Sequence, residues 1–365
     1  MIVIFILLLI SFLVLLVFYL LVFSRLAFLP PNHRITESSN QPVSIIICAK
    51  NELENLKKFL PSILEQDYPE FEVIVVHDRS TDGSKNLLED FSKKYPKLRV
   101  IENTEATLPG KRSALKKGIE AAKNEIILLT DADCQAASKD WINRMSSAVT
   151  DQTEIVLGYS PAFEQSGLLN RFIRYENFLT ALYYLSFALA KMPYMGVGRN
   201  LLYRASVTRN IGALEHHKGL VSGDDDLTVN RIATNRNTTL MIHPKSHVFT
   251  TSANTLRELI HQKRRHYATG FRYQLKHKIA LGTLYGSQVI FNLAALPLLV
   301  SGFLLIPTIS ILIIKNILQT LIYGKAMRRL NVHNLWIFTP VFDLCISVFF
   351  LTLGCLSFLK IKTWK

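Results

Sequence analysis

The stretch EIILLTDAD, residues 125–133, is an apolar run that stops on two carboxylates one residue apart. Its length and its Ile/Leu content predict a buried strand of a parallel sheet. Three similar runs precede it. VSIIICAKNE (43–52) and FEVIVVHD (71–78) are continuous and β-branched, and LRVIEN (98–103) is shorter. Helical periodicity separates them, in ENLKKFLPSILEQ after the first run, from Ser80-Thr81-Asp82-Gly83 to Tyr95 after the second, and in KRSALKKGIEAA before the fourth. Strands alternating with helices define an α/β domain with a mainly parallel sheet. Ligands of such sheets sit beyond the carboxyl ends of the strands. Asn51, Glu52, Asp78, Asp131 and Asp133 all fall at those ends. An Asp at a strand end is ordinarily a turn former or helix cap. Two of them here repel each other unless a cation lies between them, and Mg²⁺ or Mn²⁺ held by one or two carboxylates plus substrate phosphates is the natural occupant.

The charge distribution divides the chain. Of 365 residues, 49% are hydrophobic and 19% charged, with a formal net charge of +14. Charged residues concentrate between Arg25 and Lys278, which predicts a polar middle between apolar ends. Basic residues cluster beside the apolar segments, at Arg25, Lys263-Arg264-Arg265, Lys276, Lys278, Arg328 and Arg329. That placement suits anionic lipid on the cytoplasmic side. No nucleic-acid-binding motif accompanies the charge, so nucleic acid is not an expected partner. The four cysteines, Cys48, Cys134, Cys345 and Cys355, have neither zinc nor redox spacing.

Residues 2–23 are apolar throughout and long enough to cross a bilayer, which needs roughly 20 residues. Without a basic n-region or a small-x-small site, they read as an uncleaved anchor (1–24) rather than a signal peptide. Arg25 places the following domain in the cytoplasm by the positive-inside rule. A linker (25–42) leads to the α/β domain (43–250), an interfacial basic amphipathic segment (251–280), and a C-terminal membrane region (281–365). In that region 287–306 and 336–359 are spans, whereas 307–323 is interrupted by Lys315, Asn316 and Gln319. Three C-terminal spans put Lys325–Arg329 inside and Lys360, Lys362 and Lys365 outside; two do the reverse. The expected protein is therefore a multi-pass integral protein of the cell membrane with a cytoplasmic domain. The stretch 168–196 is aromatic and apolar but begins with Arg171, Arg174 and Glu176, which predicts an amphipathic helix at the membrane face or an acceptor cleft.

With these residues assembled, the chain resembles glycosyltransferase family 2, the inverting enzymes of GT-A fold, from about Val43 to Gly270, and in particular its membrane-bound, polysaccharide synthase-like members. VSIIICAKNE resembles the family's first strand and nucleotide-contacting loop, which implies Glu52. VIVVHDRSTDGS resembles V-D-D-x-S-x-D-x-T, with Asp78 on the aspartate that contacts the base and His77 departing from the pattern. Gly110-Lys111 with Ala114-Leu115 resembles G-K-x-x-A-L, whose Lys lies near the nucleotide. ILLTDAD matches the D-x-D strand, implying Asp133 on the metal and Asp131 on the ribose or the metal. GVGRNLLYR (196–204) resembles G-x-N-x-x-Y/F-R, placing Asn200 near the acceptor. SGDDDLTVNRIA (222–233) resembles E-D-x-D-L; alignment on Asp226-Leu227 puts Asp224 at the catalytic base, with Asp225 one residue away as the alternative. HQKRRHYATG resembles Q-x-x-R-W, with Gln262 and Arg265 matching near the acceptor and diphosphate and His266 in place of Trp.

The resemblance implies metal-dependent hexosyl or N-acetylhexosaminyl transfer from a nucleoside diphosphate sugar, UDP-sugar favoured, to a hydroxyl of a glycan or lipid-linked acceptor at a membrane. Two other readings compete. One is a nucleotidyltransferase, against which the glycine-free loop CAKNELENL speaks. The other is a non-catalytic membrane assembly protein on the same scaffold, against which the retained carboxylates speak.

Overall fold

The computed structural model describes residues 1–30, 40–104, 111–209 and 224–357. They form two compact units. One, built from 32–164 and 193–253, is organised on a sheet; the other, built from 1–31, 165–192 and 254–360, is helical.

The sheet unit contains β1 (Val43–Ala49), β2 (Phe71–His77), β3 (Leu98–Glu102), β4 (Ile126–Asp131), β5 (Cys134–Ala136), β6 (Ile155–Gly158), β7 (Leu201–Arg204), β8 (Thr238–Met241) and β9 (Val248–Thr250). Seven strands make one sheet in the order β3-β2-β1-β4-β7-β6-β8. β3, β2, β1 and β4 are mutually parallel, β7 is antiparallel to β4 and β6, and β8 is parallel to β6. The expected α/β, mainly parallel GT-A-type sheet is present. Chain order runs outward from β1 to β3 and then resumes on the other side of β1 with β4. That reversal opens a crevice at the carboxyl ends of β1 and β4.

Both faces of the central strands are covered, which explains why their sequences are continuous apolar runs. On one face Ile45, Ile47, Val73, Val75 and Leu128 pack with Leu56, Leu60 and Ile63 of the helix Leu53–Leu64. Each such side chain contributes about 1.5–3 kcal/mol when fully buried. On the other face the helix Arg112–Ala121 comes close to the strands at Gly118. A Cβ there would stand 2.6 Å from Ile46 Cγ2 and 3.2 Å from Val76 Cγ2. This contact seats the helix whose first turn follows Lys111. β5 pairs with β9 as a separate antiparallel ribbon, bringing Thr251 to the residues that follow β4.

Among the described residues, the helical unit has four helices long and apolar enough to cross a membrane, Ile2–Ala27, Leu275–Ser301, Leu305–Arg329 and His333–Leu356. The C-terminal break lies at Gly302 and Leu304, both with left-handed backbone (φ 69° and 47°), rather than at 306–307. Three C-terminal helices thus meet the length requirement, including the one with the polar interruption. Its polar residues turn inward. Asp343 accepts from Lys315 Nζ at 2.5 Å, Gln319 Nε2 at 2.6 Å and Gln288 Nε2 at 2.6 Å, and Asn292 donates to Ser347 at 2.7 Å. The Lys315 and Asp343 side chains are 1% and 7% exposed, while Ile306, Ile313, Ile317, Leu344 and Val348 point outward.

The helix Leu168–Leu189 also belongs to the helical unit, although the sequence reading included it in the 43–250 domain. It is buried on nearly all sides, with Tyr183 stacked on Phe23 at 5.3 Å. The basic segment forms the helix Leu256–Gly270, whose N-cap Thr255 accepts from Glu258 N–H through its hydroxyl, while the Glu258 carboxylate accepts from Asn254 N–H. Lys263 pairs with Glu176 within the same unit.

Removing one partner of a buried ion pair costs about 3–5 kcal/mol, whereas replacing both with apolar groups is often neutral. Asp343→Ala should therefore lower the thermal midpoint in detergent sharply, and Lys315→Met combined with Asp343→Leu should recover most of it. A double variant no better than the single one would show that the pair is not what holds these helices.

Candidate active site

The carboxyl ends of β1, β2 and β4 share one edge, because Cys48 is in register with Asp131 and Ala49 with His77. The loops beyond them are tied together. Leu53 N–H donates to Asp82 Oδ2 (2.9 Å), Glu52 N–H to Ser84 Oγ (3.2 Å), and Thr81 N–H to Asn51 Oδ1 (2.8 Å). Asn51 and Arg79 adopt φ of 55° and 54°, a left-handed backbone uncommon outside glycine. Strain of this kind is characteristic of sites that fix a ligand loop.

Asp78 is 1% exposed. Its Oδ1 accepts from Asn103 Nδ2 at 2.8 Å and from Arg79 Nε at 2.9 Å, while Oδ2 is buried without a partner. Ser113 in turn donates to Asn103 at 3.2 Å. An orphaned carboxylate oxygen in a crevice is a ready acceptor for a ligand N–H. His77, the departure from the family pattern, is a strut. Its Nδ1 lies 2.9 Å from Glu102 Oε2, across the β2–β3 register, and its Nε2 accepts from Ser80 N–H.

Lys111 donates to Asp131 Oδ1 at 2.8 Å and lies 3.9 Å from Asp225 Oδ2. Burial opposes its charge, but Asp131 and Asp225 outweigh burial and hold the ammonium well above the ordinary lysine range. Asp133 accepts from Thr251 Oγ1 at 3.0 Å. Burial, then Asp131, and to a lesser degree Glu52 push its carboxyl up, against the pull of Arg199. Asp225, one-fifth exposed, lies in the first turn of the helix Asp224–Ile232. Burial raises its carboxyl above the usual range, opposed by Lys111, the Gly198 N–H and Arg199. Gly198 is required by this contact, since a Cβ there would fall 1.9 Å from Asp225 Oδ2.

Of the residues singled out in the sequence, Glu52, Lys111, Asp131, Asp133 and Asp225 share one electrostatic environment, with Asp78 on the same sheet edge. The side chain of Asp224 lies outside the described residues, as does Gly110. Asn200 is not part of the cleft. It is wholly buried, its Oδ1 accepts from Trp141 Nε1, and its Nδ2 donates to the carbonyls of Tyr159 and Ser246. With its amide spent on the scaffold, it cannot serve as an acceptor-site group. Gln262 and Arg265 lie on the helix Leu256–Gly270 of the helical unit, where burial lowers the Arg265 guanidinium. Sequence reasoning missed Asn103, Gly198, Arg199 and Thr251. Only Gly198, the glycine that the G-x-N pattern specifies, carried a signal.

The donor set suits a hard divalent cation. Glu52, Asp131, Asp133 and Asp225, when ionised, carry four negative charges, and Lys111 and Arg199 offset two of them. Among the described residues no three His, Cys, Asp or Glu side chains converge as a ready metal cage. An ion with one or two carboxylate ligands, the rest coming from phosphate and water, fits this arrangement.

The crevice lies where a sheet of GT-A type holds its ligands. Residues 44–212, a little under half of the chain, match the family described as Glycosyl transferase family 2. Glycosyltransferase AglE of Haloferax volcanii is 29% identical over 185 residues, 50% of this chain and 58% of that protein. Beta-monoglucosyldiacylglycerol synthase of Nostoc sp. is 36% identical over 98 residues, 26% of this chain and 21% of that protein. The chain thus spans under two thirds of these relatives. Among solved structures, the mannosyltransferase PcManGT from Pyrobaculum calidifontis, in complex with GDP-Man and Mn²⁺, superposes with a TM-score of 0.60 at 19% identity. It covers 93% of this chain and 97% of that one, a likeness of fold.

The raised carboxyl of Asp225 has a consequence for stability. The folded state binds its proton more tightly than the unfolded state, so its contribution is fully present below the unfolded value and is lost as pH rises through the raised one. Asp225→Asn should match or exceed the wild-type thermal midpoint at pH 7, with the difference shrinking toward pH 4. A lower midpoint at pH 7 would make the carboxylate a structural anchor for Lys111 and Gly198.

Proposed function

We propose that the chain is a multi-pass membrane glycosyltransferase that moves a sugar, with inversion, from a nucleoside diphosphate sugar to a hydroxyl of a glycan or lipid-linked acceptor. The observation that carries this reading is the placement of Asp225. It is a carboxylate with a raised proton affinity, held by the Gly198 N–H and the Lys111 ammonium beside the D-x-D pair. A general base functions best when its proton affinity lies near the working pH, and burial moves Asp225 in that direction.

In the proposed reaction the acceptor hydroxyl attacks the anomeric carbon. A carbon–oxygen bond forms on that face as the bond to the diphosphate breaks on the other, and the hydroxyl proton passes to Asp225. Asp78 Oδ2, free of any other partner, receives an N–H of the donor's base. Lys111 offsets Asp131 and Asp225, so that the anionic donor can enter a crevice already rich in carboxylates. Asp133, with Asp131 beside it, would hold Mg²⁺ or Mn²⁺, which when bound supplies positive charge for the departing diphosphate. Of the two aspartates the sequence left open as base, this reading selects Asp225.

Membrane embedding is supported by the four apolar helices, and orientation by their basic ends. Arg25 closes the first helix, and Arg328 and Arg329 close the third. With the N-terminus outside, both ends and the intervening sheet unit fall on the cytoplasmic side.

A sugar-nucleotide hydrolysis and transfer screen on the purified full chain, with Mg²⁺ and Mn²⁺, tests the assignment. One donor should turn over. Asp225→Asn should reduce transfer by about 10²–10⁴-fold, the usual contribution of a positioned base, with donor binding retained. Asp133→Ala should remove the metal dependence along with turnover. The wild-type rate should fall as pH drops through a value above the ordinary carboxylate range. Full transfer by Asp225→Asn would return the base to Asp224, and a chain that turns over no sugar nucleotide would belong to the non-catalytic class.

A further inference from the structure

The segment Gly196–Arg204 presses two of its residues into fixed positions around a third. Gly198 is held against Asp225, its N–H bonded to the carboxylate and its α-carbon too close to allow a side chain. Asn200 is locked by three hydrogen bonds, and its own N–H closes a turn onto Val197 C=O at 3.0 Å. Arg199 stands between them. The family motif G-x-N leaves this position open, so the resemblance assigns it no role.

The guanidinium is poorly satisfied by what surrounds it. Its Nε–H is buried without an acceptor. Asp131 takes Lys111 Nζ and Asp133 takes Thr251 Oγ1, while Asp225 Oδ1, like the Arg199 Nε–H, is buried without a partner, so the two do not satisfy each other. A buried donor without a partner is costly, and more so when the group is charged. The positive charge of Arg199 nevertheless bears on Asp133 and Asp225 together, so it stands where the metal-side and base-side carboxylates both sense it. A group that would complete it must be anionic, offer several oxygens, and enter beside Asp133 rather than replace it. A planar guanidinium with five donors matches phosphate oxygens in that role.

We propose that Arg199 is a direct ligand of the donor's diphosphate, gripping its non-bridging oxygens between Asp133 and Asp225 and neutralising the charge that grows as the diphosphate leaves. This rests on the sugar-nucleotide reading above and gives the sheet unit its own cationic ligand for the leaving group.

The test is a calorimetric binding series on the full chain with Mn²⁺, comparing wild type, Arg199→Gln and Arg199→Lys. The ligands are UDP and GDP, the corresponding monophosphates, and uridine and guanosine. Wild type identifies the base. Arg199→Gln should then weaken the diphosphate by about tenfold or more, the size of one charge-assisted hydrogen bond. The nucleoside should change by less than about twofold and the thermal midpoint should stay in place. Arg199→Lys should fall between, because it keeps the charge but loses the fork. Diphosphate affinity unchanged in Arg199→Gln, with wild-type binding intact, would overturn the proposal and leave the transferase reading standing. Equal losses for diphosphate and nucleoside would overturn it in favour of a structural role. No nucleotide binding by wild type would overturn both.

Discussion

Excess negative charge at the carboxyl edge of β4 is the constraint around which the sheet unit is organised. Glu52, Asp131, Asp133 and Asp225 sense one another through a half-buried crevice, and Lys111 and Arg199 offset only part of their charge. Carboxylates in that setting either take up protons or recruit a cation. The raised proton affinities of Asp133 and Asp225 are the first response and the fit to a divalent ion is the second. In the proposed reaction the same crowding serves two kinds of chemistry. Near Asp133 it favours metal and phosphate. Near Asp225 it produces a carboxylate whose proton affinity moves toward that of a useful base. The scaffold keeps the charges in place by close packing. Gly118 admits the helix that follows Lys111, Gly198 admits Asp225, and the β5–β9 ribbon delivers Thr251 to Asp133.

Much of this was legible in the sequence because a parallel sheet buried on both faces writes itself as uninterrupted apolar runs. β1, β2 and β4 each appear as such a run ending in polar residues, and the crevice follows from the strand order. What escaped were contacts between residues far apart in the chain. Nothing local says that Asn103 supports Asp78, that Thr251 bonds Asp133, or that the charge of Arg199 reaches both Asp133 and Asp225. Asn200 shows the opposite failure. Its motif marks it as important, and it is, but as the hub joining Trp141, Tyr159 and Ser246. A motif reports that a residue type is needed and leaves open whether ligand or scaffold needs it. The approach of Asp225 to Lys111 at 3.9 Å, across more than a hundred residues of chain, was similarly beyond pattern matching.

The apolar helices followed a similar logic. Lys315, Asn316 and Gln319 made one span look doubtful because hydropathy counts polar residues without asking what they meet. Lys315 and Gln319 meet Asp343, and that polar clasp joins three helices whose outward faces remain apolar. The helix Leu168–Leu189 was placed with the sheet domain by its position in the chain. Its burial on nearly all sides explains why it belongs with the other helices.

The claim most central to this account is that the carboxylate crevice binds a divalent cation and a nucleoside diphosphate as a coupled pair. Calorimetry on the full chain can measure nucleoside diphosphate affinity with and without Mn²⁺, and Mn²⁺ affinity with and without the nucleotide. Each ligand should strengthen the other by the same factor, as linkage requires. Nucleotide binding that is equally tight in the presence of a chelator would contradict it.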